Sequence, residues 1–148
     1  ARADAIRTDL TAAIDADSAA FEGVMAAMKL PKDTPEQQET RRREIQVATQ
    51  RAIDVPLSVA RACVEVLELA QGVAERGNVN ALSDAAAAAH MARTAIEAAG
   101  MNVRVNAVGL DDRKQAGRQI EELKELRERA ATLADQILGE VERRATLA

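Results

Sequence analysis

The sequence predicts an all-α fold, an antiparallel helical bundle with a kinked long helix and an alanine-rich central helix. Three observations predict it. Ala supplies 33 of 148 residues and Pro only 3, so helix formers abound and helix breakers are scarce. Apolar residues recur at gaps of three and four, and no stretch alternates as a strand would. The periodic stretches are separated by short punctuation of Pro, Gly, Asn or Asp.

The first helix is expected from about Ala3 to Lys29, with Leu10, Ile14, Asp17, Phe21, Val24 and Met28 along one stripe. Pro31 disfavours helix at Leu30 and ends the segment. Thr34-Pro35-Glu36-Gln37 reads as a start, with Thr34 as cap, Pro35 at the first helical position and Gln37 closing a capping box. The second helix then runs to about Arg76, burying Ile45, Ala48, Ala52, Val59, Cys63, Val66 and Ala70. Pro56 lies within it and has no N–H for the carbonyl of Ala52, so a kink or break is expected between Asp54 and Pro56. Gly77 is expected to end this helix in the left-handed conformation.

Asn78 or Asn80 caps the third helix, expected from Ala81 to about Val108. Its alanine run lets neighbours approach closely, which suits a central position. After Gly109 and Asp111-Asp112, a last helix runs from about Arg113 to Arg144 with a near-heptad stripe of Leu123, Leu126, Ala130, Leu133, Ile137 and Val141. Its Glu- and Arg-rich remaining faces suit a solvated outer helix or, alternatively, a dimerising one. No linker or repeat divides the chain, so residues 1–148 are expected to form one domain. It starts at Ala1, already in helical pattern and without an initiator Met, and is expected to be a processed or truncated piece.

Composition excludes several functions. A net charge of −4 offers no general attraction for a phosphate backbone, and Phe21 is the one aromatic, so nucleic-acid binding is not expected. One cysteine, Cys63, cannot form an internal disulfide, and with the lone His90 it cannot make a Cys/His zinc site, so no metal site is expected. Both residues lie in apolar helical surroundings and are expected in the core. Apolar runs such as Ala85 to Ala89 fall far short of the roughly 20 residues of a membrane span, and no targeting segment is recognisable.

Three places break the helical pattern. Asp17 occupies a stripe position, where a carboxylate must either pair at the stripe's edge with an Arg or face a cleft as a site residue. Eighteen residues, five turns, separate Asp84 from Asn102, so the two share an azimuth with Asn106 one turn on and Ala88, Met91, Ala95 and Ala98 between. Singly, Asp84 reads as a first-turn carboxylate favoured by the helix dipole and the two Asn as C-terminal residues. Together they suggest a groove floored by small side chains that could hold a flat ligand. The third place is Lys29-Leu30-Pro31-Lys32 followed by Arg41-Arg42-Arg43, with Arg41 on an extension of the buried stripe and pointing toward the bundle. Such a cation cluster in an acidic chain suits the anionic tail of a small molecule.

These residues fall into a larger pattern of blocks. Asp17-Ser18-Ala19-Ala20-Phe21, Leu30-Pro31-Lys32, Arg41 before Ile45-Gln46, Val55-Pro56-Leu57, Gly77-Asn78-Val79-Asn80-Ala81-Leu82-Ser83-Asp84-Ala85 and Asn102-Val103-Arg104-Val105-Asn106 follow in order. Over about residues 1–112 this resembles the cyclodeaminase/cyclohydrolase family, which includes methenyltetrahydrofolate cyclohydrolases and the C-terminal domain of formiminotransferase-cyclodeaminase. The resemblance implies a helical bundle that dimerises and acts on a one-carbon tetrahydrofolate, without metal or tightly bound cofactor. It implies either closure of a formimino group to methenyl with loss of ammonia, or hydrolysis of the methenyl ring to a formyl group. By position it assigns catalysis to Asp84, Asp17 and Lys32, with Asp84 holding the pterin or acting as base and Asp17 supporting it. Substrate binding falls to Lys29, Arg41, Asn78, Asn80, Ser83, Asn102 and Asn106. A folate substrate, a homodimer, a cytoplasmic location and no membrane or nucleic-acid partner complete the expectation. The family's N-terminal Gly-rich region is expected either to lie outside this chain or to be missing, and in the second case a non-catalytic helical oligomerisation or binding module is the alternative.

Overall fold

The computed structural model describes residues 1–146. It contains α1 (Arg2–Met28), α2 (Pro35–Arg76), a 3-10 turn (Val79–Ala81), α3 (Leu82–Ala107) and α4 (Arg113–Thr146), with no strand among the described residues.

Local chemistry accounts for the boundaries. The Thr34 hydroxyl accepts from the Gln37 backbone N–H at 3.3 Å, while Gln37 Oε1 accepts from the Thr34 and Asp33 N–H groups at 3.3 and 2.9 Å. The capping box forms as expected. Asn78 Oδ1 accepts from the Asn80 N–H at 2.9 Å and starts the 3-10 turn. Asp112 Oδ1 accepts from the N–H groups of Lys114 and Gln115 and starts α4. Gly77 departs from expectation, with extended φ and ψ of −72° and 175°. A Cβ there would lie 2.5 Å from the Val73 carbonyl oxygen, so close approach rather than handedness requires glycine.

The helices alternate in direction. Arg2 reaches Glu65 and Arg41 reaches Met28, so α1 runs antiparallel to α2. Arg127 pairs with Glu97 and Arg93 with Asp135, so α3 runs antiparallel to α4. Asn106, near the end of α3, bonds Ala52 in the first half of α2, and Arg61 meets Glu122 while Glu68 meets Arg129, so α4 runs parallel to α2. The core lies among α2, α3 and α4, where Ile53, Leu57, Leu67, Ile96, Val103, Leu123 and Ile137 are almost fully buried. α2 packs against all three other helices, and α3 packs between α2 and α4.

Two expectations about packing fail. The α1 stripe does not face the core: Ile14 is 68 % exposed and Phe21 65 %, Met28 and Asp17 are exposed too, and Ile6, Ala20 and Ala27 are the buried residues. Ile6, Ala13, Ala20 and Ala27 repeat every seven residues, and this edge, alanine at three of its four positions, lies on α2 because small side chains permit close contact. His90 is exposed on α3 rather than in the core. Cys63 is buried as expected, and desolvation pushes its thiol pKa upward. α2 also continues through Pro56 without the break that was allowed for.

Candidate functional site

α1 and α3 run side by side with α2 beneath them, leaving a groove along the exposed side of the bundle. Three hollows make it up. One of about 590 Å³ lies between Ile6, Arg7, Leu10, Thr11 and Ile14 of α1 and Asp84, Ala85 and Ala88 of α3, above Val66, Leu69 and Val73. A second, about 300 Å³, is lined by Leu10, Ile14, Asp17, Ala95, Ala98 and Asn102, above Val55, Pro56 and Val59. A third, about 320 Å³, is lined by Asp17, Phe21, Met25, Met28, Ala52, Asn102 and Asn106. Leu10 and Ile14 are common to the first two, and Asp17 and Asn102 to the last two, so the hollows form one groove.

The face of α3 inferred from Asp84, Ala88, Ala95, Ala98, Asn102 and Asn106 does line this groove, but as a wall. The floor is α2 and the opposite wall is α1. Met91 instead projects outward at 72 % exposure. At about 1.5 Å per residue, Asp84 and Asn102 stand roughly 27 Å apart along α3. Asp17 belongs with Asn102 and Asn106. Asp17 therefore does not touch Asp84.

The other expected site residues lie outside these hollows. Lys29 and Lys32 are exposed just beyond the end of α1 and line none of the three hollows. Arg41 donates from Nε and Nη2 to the Met28 carbonyl at 3.3 and 3.1 Å, so it caps the end of α1. Asn78 is engaged with the Asn80 backbone, while Asn80 and Ser83 are exposed beside the 3-10 turn. Two residues that face Asp84 escaped the sequence reading, Arg7 and Thr11. Arg7 sits three residues before Leu10 on the same stripe, a spacing that could have revealed it.

Chemically the groove is graded. At the Asp84 end, aliphatic side chains surround one carboxylate and one guanidinium. At the far end, a carboxylate and two amides are grouped, with two lysines just outside. Asn106 is tethered there: its Nδ2 donates to the carbonyl of Ala52 at 2.7 Å. That carbonyl is the one that Pro56 leaves without a helical donor. Asn106 thus supplies from α3 the donor that Pro56 lacks, so the Ala52 carbonyl of α2 is satisfied. No group of three His, Cys, Asp or Glu side chains gathers as a metal-binding set among the described residues, and no helix is long and apolar enough to cross a membrane.

Comparison with known proteins adds to this geometry. The family model described as Formiminotransferase-cyclodeaminase matches residues 1–125. A methenyltetrahydrofolate cyclohydrolase of Methylorubrum extorquens is 43% identical over 136 residues, covering 92% of this chain and 65% of that protein. A formimidoyltransferase-cyclodeaminase of Rattus norvegicus is 33% identical over 140 residues, covering 95% of this chain and 26% of that protein. The crystal structure of formiminotetrahydrofolate cyclodeaminase from Thermotoga maritima superposes with a TM-score of 0.82 at 26% identity, over 94% of this chain and 65% of that one. The chain thus spans less than two thirds of the length of each of these relatives. The match over most of its residues shows that it belongs to the formiminotransferase-cyclodeaminase family.

Proposed function

We propose that this chain carries the folate groove of a one-carbon enzyme, and that its reaction is hydrolysis of methenyltetrahydrofolate. The observation behind this reading is the graded groove, whose order of chemistry follows that of an extended folate. Asp84 holds the pterin and its one-carbon bridge. Leu10, Ile14 and Ala88 cover the aryl ring, Ala95 and Ala98 line the path of an extended glutamate tail, Asn102 and Asn106, roughly 27 Å or more from Asp84, meet amides of that tail, and Lys29 and Lys32 attract its carboxylates.

In the reaction, the Asp84 carboxylate takes a proton from water as its oxygen adds to the methenyl carbon. Cleavage of one of that carbon's two C–N bonds, with the proton held by Asp84 passed to the departing nitrogen and the adduct's hydroxyl proton lost to water, leaves a formyl group. The similarity to named cyclodeaminases supports a second reading, in which a formimino group closes to methenyl and ammonia departs. The greater identity to a named cyclohydrolase favours hydrolysis. No metal or tightly held cofactor is part of the scheme, and its setting is the cytoplasm.

The same reading includes a homodimer. Ile14, Phe21, Met25 and Met28 of α1 and Met91, Met101, Val105 and Val108 of α3 are all more than two-fifths exposed. These last four fall in the register 91, 94, 98, 101, 105, 108, whose gaps of three and four make a seam without charge. A second copy laid on this face would also shield the groove from water. A non-catalytic module built on this face is the alternative from a different class.

The test is to add methenyltetrahydrofolate to the chain and follow loss of the methenyl absorbance, beside sedimentation of the same sample. Turnover that Asp84→Asn abolishes supports hydrolysis. A dimer without turnover favours the module, and a monomer at micromolar concentration removes the dimer.

A further inference from the structure

We infer that Pro56 is a positioning residue for substrate, acting through Asn106: by leaving the Ala52 carbonyl free, it fixes the Asn106 amide with its carbonyl oxygen presented to the groove as an acceptor for a ligand N–H. The inference rests on the folate reading only for the name of that ligand group, which at this distance from Asp84 is an amide N–H of an extended glutamate tail.

The chain of causes starts in the backbone. Proline at position 56 has no N–H for the carbonyl of Ala52, and its ring crowds that carbonyl outward from the helix axis. The residue meeting that carbonyl is Asn106, whose Nδ2 lies 2.7 Å away. A carbonyl accepts and never donates, so this contact settles which end of the amide is which. Nδ2 faces α2, and Oδ1 is the free end. Oδ1 accepts no hydrogen bond from the described residues and is not among the side-chain atoms sealed from solvent. Asn106 lines the hollow that also contains Asp17 and Asn102.

An amide without such a tether presents N–H or C=O by a rotation of its terminal bond and selects neither donors nor acceptors. A tethered one selects donors. With the Asp17 carboxylate in the same hollow, this end of the groove offers two acceptors, which suits an N–H-bearing segment and disfavours bare carboxylate. The glutamate carboxylates then lie beyond it, at Lys29 and Lys32. Because this contact sits about six turns from Asp84, it acts on substrate affinity rather than on the bond-breaking step.

Pro56→Ala tests this, because it restores a helical N–H to the Ala52 carbonyl. The expected result is a melting temperature raised by several degrees, as a helix-interior proline is removed. Alongside it, KM for methenyltetrahydrofolate carrying a polyglutamate tail should rise about tenfold with kcat within a factor of two. A merely structural proline would not combine greater stability with weaker binding. Asn106→Ala should raise KM by a similar factor, and Pro56→Ala should add nothing in that background. An unchanged KM, a fall confined to kcat, or additive effects would overturn the inference.

A ligand-free readout separates it from the folate reading. In the wild-type chain the Asn106 side-chain amide protons should exchange with solvent more slowly than those of Asn102, and Pro56→Ala should remove the difference. Equal exchange in the wild type, or slow exchange that survives Pro56→Ala, overturns the inference even if folate is turned over. If the wild type fails to turn over folate while this exchange pattern holds, the substrate assignment fails and the positioning role stands.

Discussion

α1 and α4 are both long helices at the outside of the bundle, and they are used in opposite ways. α4 lays Ala116, Leu123, Ala130, Ala134 and Ile137 into the core, and Arg61–Glu122, Glu97–Arg127, Arg93–Asp135 and Glu68–Arg129 pairs flank that seam. Near its far end Arg144 donates to the carbonyls of Ala74 and Gly77 and caps α2. α1 buries only Ile6, Ala20 and Ala27, is joined across helices by Arg2–Glu65, and leaves its largest apolar residues in solvent. The difference teaches that an apolar stripe reports a surface to be covered without saying by what. α4 completes the core, whereas α1 forms one side of a groove and keeps a face free for a ligand or a second copy.

Truncation should separate the two helices most sharply. Leu123→Ala or Ile137→Ala, at almost fully buried positions of α4, should cost about 2–5 kcal/mol in denaturant unfolding. Phe21→Ala, at 65 % exposure on α1, should cost less than about 1 kcal/mol of the monomer's stability while weakening self-association. A large monomer loss at Phe21 would mean that α1 has a covering partner within one chain.

The groove supplies the next contrast. Asp84→Asn should lower kcat by about a hundredfold or more with the helical circular dichroism unchanged. Lys32→Ala should instead raise KM by a factor that shrinks as salt is added. Effects of equal kind at both positions would contradict the layout of the groove from a reacting end to an anionic end.

Glycines give a smaller effect of opposite sign. A Cβ at Gly23 of α1 meets nothing within 4 Å, so Gly23→Ala should stabilise by about 0.5–1 kcal/mol through helix propensity alone. At Gly100 of α3 the Cβ would meet Leu123 Cδ1 at 3.2 Å, and the gain should be offset by crowding against α4. Thermal melts of the two variants measure the difference. A loss of stability at Gly23 would place another helix against that side of α1.

The smallest effect concerns pH. Arg127, hydrogen-bonded to Glu97 at 2.6 Å, holds the Glu97 carboxyl below its ordinary value. The unfolded chain therefore takes up this proton at a higher pH than the folded one. The pair's contribution is full above the ordinary carboxylate pKa and is lost as pH falls through the lowered folded value. Both side chains are a third or more exposed, so screening limits it to less than about 1 kcal/mol. Unfolding of Glu97→Gln should show a correspondingly shallower loss of stability below the ordinary carboxylate range. A slope identical to that of the wild type would remove the pair from the docking of α4.

Much of this was legible in the chain itself. Four helices, their capping box at Thr34 and Gln37, the starts at Asn78 and Asp112, and the buried seam of α4 all follow from local spacing and from side chains that reach their own backbone. The shared azimuth of Asp84, Asn102 and Asn106 was legible for the same reason, because helical geometry carries it over five turns. Local pattern could not decide which stripe of α1 meets α2, since small residues won that contact over large ones and periodicity does not weigh closeness of approach. Nor could it join Pro56 to Asn106, fifty residues apart, or show Arg41 occupied with the Met28 carbonyl and Asp17 too far along the groove to touch Asp84. Those relations exist only when separate helices lie side by side, because a freed carbonyl, a helix end or a carboxylate finds its partner in space and not in sequence.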